Sequence, residues 1–230
     1  MKLPTVIILA GGYGSRISHL SGNLPKALLD INGTPFLEIK LKQLFNIGFE
    51  NIIICVGIKG EQIIDFIEKS DFAKLKITVI ADGACQLGTG GAINNAIEQV
   101  EEEFFVTYGD SYLEFDYLDF YQFAKQKQCC MTIYENQNKL GVSNVKKLNN
   151  DLIKYEKLRT NSNFNYIDFG FIYFKTKVYK EFYNLRLTDL SDLLTKISDA
   201  NLLHGYEVKN QFYEIGSERG LIELRNYLRK

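Results

Sequence analysis

A glycine-rich loop that ends in an arginine follows the first apolar run of the chain. Residues 9–16 read LAGGYGSR, and the apolar run is Thr5–Ala10. Glycines let backbone N–H groups approach a phosphate closely, and the guanidinium of Arg16 can bind two phosphate oxygens at once. The loop therefore predicts a phosphate site, with a tight turn that carries a surface arginine as the alternative.

Two common phosphate-binding loops do not fit these residues. A dinucleotide-binding fingerprint needs a glycine three residues after Gly14, where Ile17 stands. It also needs an acid at the end of the second strand, which here reads Cys55-Val56-Gly57. A P-loop needs Gly-Lys followed by Ser or Thr, and the sequence does not contain it. The loop is therefore expected to bind phosphate in another way.

Lys26 is a second candidate phosphate ligand. It lies between Pro25, which restricts the backbone before it, and an apolar segment. A compact ammonium there could hold a second phosphate, and a solvated lysine is the alternative. The two histidines, His19 and His204, are isolated and predict structural or surface roles. No convincing Ser-His or Cys-His set accompanies them.

Alternating strands and helices must position these groups in the first half of the chain. Apolar runs predict strands buried on both faces, and helical spacing of apolar residues between them predicts crossover helices. The predicted order is strand 5–10, helix 36–47, strand 51–56, helix 61–69, strand 76–80, helix 90–100, strand 104–108 and helix 117–127. Ligands bind beyond the carboxyl ends of such strands, which is where the glycine loop lies.

The second half of the chain predicts shorter strands, with a hairpin turn at 149–151. The predicted elements are strands 131–134, 143–147, 152–155 and 167–174, helices 177–182 and 190–200, strand 203–208, segment 212–215 and helix 218–228. The predicted fold class is α/β, a doubly wound, mostly parallel Rossmann-like sheet with a small antiparallel addition in the C-terminal half. We predict a single domain over 1–230. Residues 1–127 would be its nucleotide-binding part, and 128–230 its acceptor-binding and lid part.

The composition argues against several classes of protein. A net charge of −1 disfavours a nucleic-acid binder, and 230 residues that are 46% hydrophobic allow a sizeable core. No apolar stretch approaches the roughly 20 residues that a membrane helix needs, and the amino terminus predicts no signal peptide. Four scattered cysteines predict thiols in a reducing cytoplasm. Cys129 and Cys130 would face opposite sides of a strand, which argues against a metal site there.

Four separated motifs, LAGGYGSR, LPKALLDINGTPFLE, LGTGGAI and YGDSY, occur in this order between residues 9 and 112. Together they resemble the nucleotidyltransferases that join a nucleoside triphosphate to a sugar 1-phosphate. The short length is similar to that of bacterial heptose-1-phosphate guanylyltransferases and muramyl-phosphate uridylyltransferases. The resemblance implies the glycosyltransferase-A-like form of the fold and Mg²⁺-dependent nucleotidyl transfer that releases pyrophosphate. It also implies a cytoplasmic monomer or homodimer for cell-surface polysaccharide synthesis, without nucleic-acid or membrane partners.

The resemblance also implies roles for particular residues. Arg16, Lys26 and Asp110 would be catalytic. Asp110 would also bind Mg²⁺, and an aspartate that caps the next turn is the alternative. Glu214 stands where the family's second metal ligand is an aspartate, so its contact would be direct or through water. Residues 82–86 would flank the base without indicating which base it is. The nucleotide would be bound by Leu9, Ala10, Gly11, Gly12, Gly14, Ser15, Gln86, Gly88 and Thr89.

Four residues of the second half would bind the acceptor: Asn144, Glu156, Lys157 and Asp168. Asp168 stands where relatives have an asparagine, so it could accept hydrogen bonds from sugar hydroxyls or pair with a cationic amino group. The second possibility keeps open a CTP-dependent cytidylyltransferase that acts on a phosphorylated amino alcohol, choline-like compound or amino acid. A non-catalytic nucleotide-sensing subunit is a third interpretation.

Overall fold

The computed structural model describes residues 2–12, 22–136, 140–157, 163–184 and 188–229. Its strands are β1 (Thr5–Leu9), β2 (Asp30–Ile31), β3 (Thr34–Pro35), β4 (Ile52–Val56), β5 (Ile77–Ala81), β6 (Glu103–Tyr108), β7 (Ser111–Tyr112), β8 (Cys129–Glu135), β9 (Val145–Lys147), β10 (Ile153–Tyr155), β11 (Tyr166–Lys175), β12 (Leu203–Val208) and β13 (Tyr213–Glu214). Its α-helices are α1 (Phe36–Ile47), α2 (Gly60–Lys69), α3 (Gly88–Ala96), α4 (Tyr117–Ala124), α5 (Thr176–Phe182), α6 (Leu190–Asp199) and α7 (Glu218–Tyr227).

Four parallel strands form the first half of the central sheet, in the spatial order β5-β4-β1-β6. Val6 of β1, for example, pairs with Ile52 on one side and with Phe105 on the other. β4 is buried along its whole length, as its continuous apolar sequence predicts. Because the four strands are parallel, their carboxyl ends meet at one edge of the sheet.

The C-terminal half adds antiparallel strands to the same sheet. β11 pairs antiparallel with β6, β8 pairs antiparallel with β11, and β12 pairs parallel with β8. β9 and β10 form the predicted hairpin, and Asn150 in its turn has a φ of 58°, a left-handed conformation that asparagine tolerates. The predicted doubly wound, mostly parallel α/β fold with an antiparallel addition is confirmed.

Two short antiparallel ladders are not evident from the sequence pattern. β2 pairs with β3, and β7 pairs with β13 through Ser111 opposite Glu214. A strand of two residues is too short to show an alternating pattern. Such strands can be identified only from their pairing in the structure. The helix predicted over 90–100 begins earlier, at Gly88, and its α-helical part ends at Ala96. The β7–β13 ladder places the C-terminal segment beside the end of β6.

Within the described residues, three helices cover each face of the sheet. One core contains apolar side chains of α1, α2 and α4, and the other contains side chains of α3, α5 and α6. Cys129 and Cys130 lie on opposite faces, as predicted, and burial raises the pKa of both thiols. Among the helices within the described ranges, none is long and apolar enough to cross a membrane.

A third, smaller apolar cluster fixes α7 next to the β2–β3 hairpin. Leu221 and Leu224 of α7 pack with Ile31 of the hairpin and with Ile215, which directly follows β13. Each of these four side chains is at most 2% exposed. The cluster therefore anchors the segment that carries Glu214.

Candidate active site

A cavity of about 430 Å³ lies at the carboxyl ends of the parallel strands. Many of the residues predicted from the sequence contribute to its wall. These are Leu9, Ala10, Gly11, Gly12, Lys26, Gln86, Gly88, Thr89 and Asp110. Gly14, Ser15 and Arg16 lie outside the described residues.

The ends of β1 and β6 approach each other so closely that only glycine fits at position 109. The backbone N–H of Gly109 donates to the carbonyl of Leu9 at 2.9 Å. A Cβ atom at Gly109 would lie 2.7 Å from that carbonyl oxygen, closer than carbon and oxygen normally approach. The residue after this glycine is Asp110, so the close contact sets where the carboxylate enters the cavity.

Lys26 and Asp110 form an ion pair in the cavity wall. Lys26 Nζ lies 2.6 Å from Asp110 Oδ2, and the two side chains are 14% and 36% exposed. Lys26 opens a short 3₁₀ turn directly after Pro25, whose φ is −63°. The pair joins residues far apart in sequence and places one cation and one anion at the end of β6.

Glu214 reaches the same place from the C-terminal half. Its strand pairs with β7, and the N–H of Ile215 donates to the Asp110 carbonyl at 2.9 Å. The Glu214 carboxylate accepts hydrogen bonds from the Gly216 N–H and the Ser217 hydroxyl. Gly216 contributes to the cavity wall, whereas Glu214 itself stands behind it. These local bonds fix the carboxylate of Glu214 close to Asp110.

The donor set at this end of the cavity suits a hard divalent cation. Mg²⁺ prefers oxygen ligands and is usually held by one or two carboxylates together with phosphate oxygens and water. Asp110 and Glu214 are two such carboxylates on adjacent backbone segments. Within the described ranges, no group of three or more His, Cys, Asp or Glu side chains forms a complete metal cage. Asp110 and Glu214 are thus two carboxylates of the kind that Mg²⁺ takes as ligands.

Gly216 separates Glu214 from Lys26, which gives a sharp prediction. A Cβ atom at Gly216 would lie 2.4 Å from Glu214 Oε2 and 2.6 Å from Lys26 Nζ. We expect Gly216→Ala to lower kcat by about tenfold or more, because a displaced charged group stabilises the transition state less well. Both atoms are ends of flexible side chains, so the melting temperature should change little. Steady-state kinetics and thermal unfolding check this.

Gly220→Ala is the matched comparison for that variant. A Cβ atom at Gly220 would lie 2.2 Å from the backbone carbonyl oxygen of Glu214, which cannot move aside cheaply. We therefore expect Gly220→Ala, unlike Gly216→Ala, to lower the melting temperature. Wild-type kcat in Gly216→Ala would show that the Glu214–Lys26 arrangement does not matter for turnover.

The segment between β5 and α3 also contributes to the cavity wall. Gln86 Nε2 donates to the Gly11 carbonyl at 2.9 Å, and Asp82 Oδ2 accepts from the Leu87 N–H at 3.3 Å. Burial raises the pKa of the Asp82 carboxyl, and the bond from Leu87 opposes the increase. Gly88 begins α3 with a φ of 72°, a conformation that favours glycine. This segment therefore offers polar side chains and backbone groups to the cavity.

Asp168 lies behind the cavity wall and is connected to it through Tyr108. The Tyr108 hydroxyl donates to Asp168 Oδ2 at 2.9 Å, and the Gly170 N–H donates to Oδ1 at 2.8 Å. Asn144 Oδ1 accepts from the Asp168 N–H at 3.0 Å. Burial raises the pKa of Asp168 to about 6, although both hydrogen bonds to its carboxylate lower it. The structure therefore brings together Asn144 and Asp168 of the predicted acceptor residues.

Glu156 and Lys157 are not part of the cavity wall. The Lys157 ammonium pairs with Asp189, whose carboxylate also accepts from the Thr89 hydroxyl at 3.3 Å. Burial raises the pKa of Asp189, but the bonds from Lys157 and Ser191 outweigh it and the net shift is downward. The N–H of Glu156 donates to the carbonyl of Asn144 at 3.0 Å. Lys157 is thus connected through Asp189 to Thr89 of the cavity wall.

Several site residues were not singled out by the sequence. Tyr108 contributes to the cavity wall as the last residue of β6, a position that the predicted strand end already marks. Asp189 caps α6 by accepting from the Ser191 N–H, and an aspartate before an apolar helix is the signal for it. Cys55 and Gly216 also contribute to the wall, and nothing in their local sequence indicates it.

Comparisons with known proteins place the chain among transferases. A model of the nucleotidyl transferase family matches residues 5–226. The bifunctional protein GlmU of Methanococcus vannielii is 29% identical, covering 97% of this chain and 55% of that protein. The D-glycero-alpha-D-manno-heptose 1-phosphate guanylyltransferase of Campylobacter jejuni is 36% identical over 110 residues, which are 48% of this chain and 49% of that enzyme.

A solved structure extends the comparison to the whole fold. HddC from Yersinia pseudotuberculosis, complexed with GMP-PN, superposes with a TM-score of 0.83 at 26% identity. The match covers 98% of this chain and 100% of that one. The chain spans about half the length of the curated relatives it matches.

Proposed function

Because this chain belongs to the nucleotidyl transferase family, we propose that it transfers a nucleotidyl group from a nucleoside triphosphate to a sugar 1-phosphate. The products are a nucleotide sugar and pyrophosphate. We further propose that it acts in the cytoplasm, as a monomer or homodimer, and supplies cell-surface polysaccharide synthesis. Residues 1–127 would bind the nucleotide, and 128–230 would bind the acceptor and close over it.

The Lys26–Asp110 pair at the carboxyl end of β6 is the observation that carries this proposal. A phosphate oxygen of the acceptor attacks the α-phosphorus of the triphosphate, and pyrophosphate leaves. Both reactants are polyanions, so the barrier is largely electrostatic, and cations and positioning supply most of the catalysis. The Lys26 ammonium would bind the reacting phosphates. The backbone of Gly11 and Gly12, together with Arg16, would bind the rest of the triphosphate.

Asp110 and Glu214 would hold Mg²⁺. The bound ion would neutralise phosphate charge and orient the triphosphate. The N–H of Gly216 and the hydroxyl of Ser217 hold the Glu214 carboxylate in place before any ligand arrives. Ser111 Oγ lies 3.3 Å from Asp110 Oδ1 and restrains that carboxylate in the same way. Both carboxylates are therefore held by neighbouring groups of the protein before a cation arrives.

A matrix of substrates tests the proposal. Four nucleoside triphosphates are combined with a panel of sugar 1-phosphates and phosphorylated amino alcohols, with Mg²⁺ present and pyrophosphate release measured. Release that requires both a triphosphate and a sugar 1-phosphate supports the proposal. Nucleotide binding without pyrophosphate release for any combination would contradict it and favour a nucleotide-sensing role.

Asp168 favours one alternative acceptor class. Its carboxylate stands beside Tyr108 of the cavity wall, and such a group can pair with a cationic amino group. The alternative function is therefore a CTP-dependent cytidylyltransferase acting on a phosphorylated amino alcohol, choline-like compound or amino acid. The amino-alcohol columns of the substrate matrix separate the two.

We expect Asp168→Asn to raise the KM for the acceptor and to leave the KM for the nucleotide unchanged. If the carboxylate contacts hydroxyls, the loss in kcat/KM should be about tenfold, or about 1.4 kcal/mol. If it pairs with a cation, the loss should be far larger, because the cation would lose its partner. An unchanged KM and kcat/KM for the acceptor would show that Asp168 has only a structural role.

The pH dependence of the same variant provides its control. Asp168 has a pKa of about 6 in the folded protein and an ordinary value of 3.8, so its contribution to stability is full below pH 3.8 and is lost as pH rises to about 6. Asp168→Asn should therefore not destabilise the protein at pH 7.5. Acceptor kcat/KM of the wild type should fall below pH 6 as the carboxylate is protonated, and this step should be absent in Asp168→Asn.

A further inference from the structure

Lys40 is the charged residue on the buried face of helix α1. The rest of that face is apolar and consists of Phe36, Leu37, Leu41 and Leu44. Lys40 is 2% exposed, and within the described ranges no carboxylate lies within ion-pair distance of its ammonium. Burial of an ammonium disfavours the charged form, and it lowers the pKa of Lys40 to about 7 against the opposing effect of Asp110. A methionine or leucine would fill this space without that cost.

The partners of Lys40 lie on both sides of the residue that carries the proposed site. Its Nζ donates to the Ser111 carbonyl at 2.7 Å and to Thr107 Oγ1 at 3.2 Å. Thr107 precedes the last residue of β6, and Ser111 begins β7. Asp110 lies in the turn between them. The nitrogen therefore joins the two ends of the turn that holds Asp110.

Other contacts also hold this turn, and the β7–β13 ladder pairs Ser111 with Glu214 at its far end. The Gly109 N–H donates to the Leu9 carbonyl, and the Ile215 N–H donates to the Asp110 carbonyl. The carbonyl of Ser111 receives its side-chain bond from Lys40, which is buried under the sheet. The turn is thus fixed by backbone contacts beside the cavity and by Lys40 from beneath.

We propose that Lys40 is a positioning residue for nucleotidyl transfer, which fixes the 107–111 turn so that Asp110 meets its ligands in the cavity. This inference rests on the proposed function. Lys40 touches neither the cavity nor the reacting atoms, so its effect passes through Asp110. A shift of about 1 Å in a reacting group lowers turnover by up to about 100-fold, so a loosened turn should be visible in kcat.

Lys40→Met tests this role, because methionine is of similar length and donates no hydrogen bond. We expect kcat to fall by about tenfold or more at saturating substrates, with the KM for nucleotide and acceptor changed less than about twofold. Backbone amides of residues 107–112 should exchange hydrogen faster, which hydrogen–deuterium exchange measures in the protein without substrate. Lys42→Met is the matched control. Lys42 is 62% exposed on the same helix and pairs with Glu38, so its loss should change neither measurement.

The outcomes separate this proposal from the proposed function. Wild-type kcat and unchanged exchange in a folded Lys40→Met protein would overturn the role of Lys40, while the wild-type activity stands. Absence of pyrophosphate release from the wild type would overturn the proposed function, and with it the role of Lys40 in turnover. If Lys40→Met does not fold, Thr107→Val replaces it, because that change keeps the shape and removes one of the two acceptors. A several-fold fall in its kcat supports the proposal, and an unchanged kcat overturns it.

Discussion

Asp110→Asn is expected to lower kcat by about 1000-fold or more, which corresponds to about 4 kcal/mol of transition-state free energy. The amide keeps the shape of the side chain but removes the charge that pairs with Lys26 and that would bind the cation. The backbone bonds of residues 109 and 110 remain, so the fold should survive. Stopped-time assays of pyrophosphate release at saturating Mg²⁺ measure the loss, and circular dichroism with thermal unfolding verifies the fold.

Asp71→Asn is a suitable control for the loss of one negative charge. Asp71 is fully exposed and lies 4.0 Å from Lys74, far from the cavity, so its replacement should leave kcat unchanged. Near wild-type turnover of Asp110→Asn at saturating Mg²⁺ would contradict the proposed metal ligand. It would leave Asp110 as an aspartate that only orders the turn between β6 and β7.

Lys26→Ala is expected to lower kcat/KM by about 100-fold, because a cation in contact with reacting phosphates stabilises their charge in the transition state. The ammonium is mostly buried beside Asp110, where its attraction for phosphate is less screened than at the surface. Removing it also leaves the Asp110 carboxylate without its partner. Lys26→Arg should recover only part of the rate, since a planar guanidinium does not fit the place of a compact ammonium.

Lys74→Ala is the corresponding surface control, since Lys74 is 85% exposed. The measurements are kcat and KM for nucleotide and acceptor, each varied separately. An increase in KM with an unchanged kcat would show that Lys26 binds the substrate and the transition state equally well and does not promote the reacting step. Unchanged kcat/KM in a folded Lys26→Ala protein would show that the ion pair is only structural.

The sequence pattern predicted the helices and strands whose bounds depend mainly on neighbouring residues. The helix predicted over 36–47 forms at the same residues, because its apolar spacing is regular and Gly48 ends it with a φ of 107°. The strand predicted over 203–208 likewise forms without a shift. β7 has two residues and exists only because β13 pairs with it. Such elements depend on contacts between distant segments, which periodicity cannot indicate.

The same distinction holds for the site. Lys26, Asp110 and the glycines of the first loop follow from short sequence motifs, and the described ones share one cavity wall. Lys40 occupies a position of α1 where the apolar spacing predicts a core side chain. A charged residue at a core position is the sequence feature that singles it out. Its partners on β6 and β7 could not be derived from the helix alone. Lys157 likewise depends on Asp189, a partner that no local pattern connects to it.

The ladder between β7 and β13 also determines when the site forms during synthesis. During synthesis, the parallel strands β1, β4, β5 and β6 are made well before Glu214. Closing the long loop between Asp110 and Ile215 costs entropy that only the finished ladder and the α7 cluster repay. A nascent chain that stops before Tyr213 therefore has the cavity floor but lacks the second carboxylate. Competence for transfer should arise in one late step, when the C-terminal segment docks.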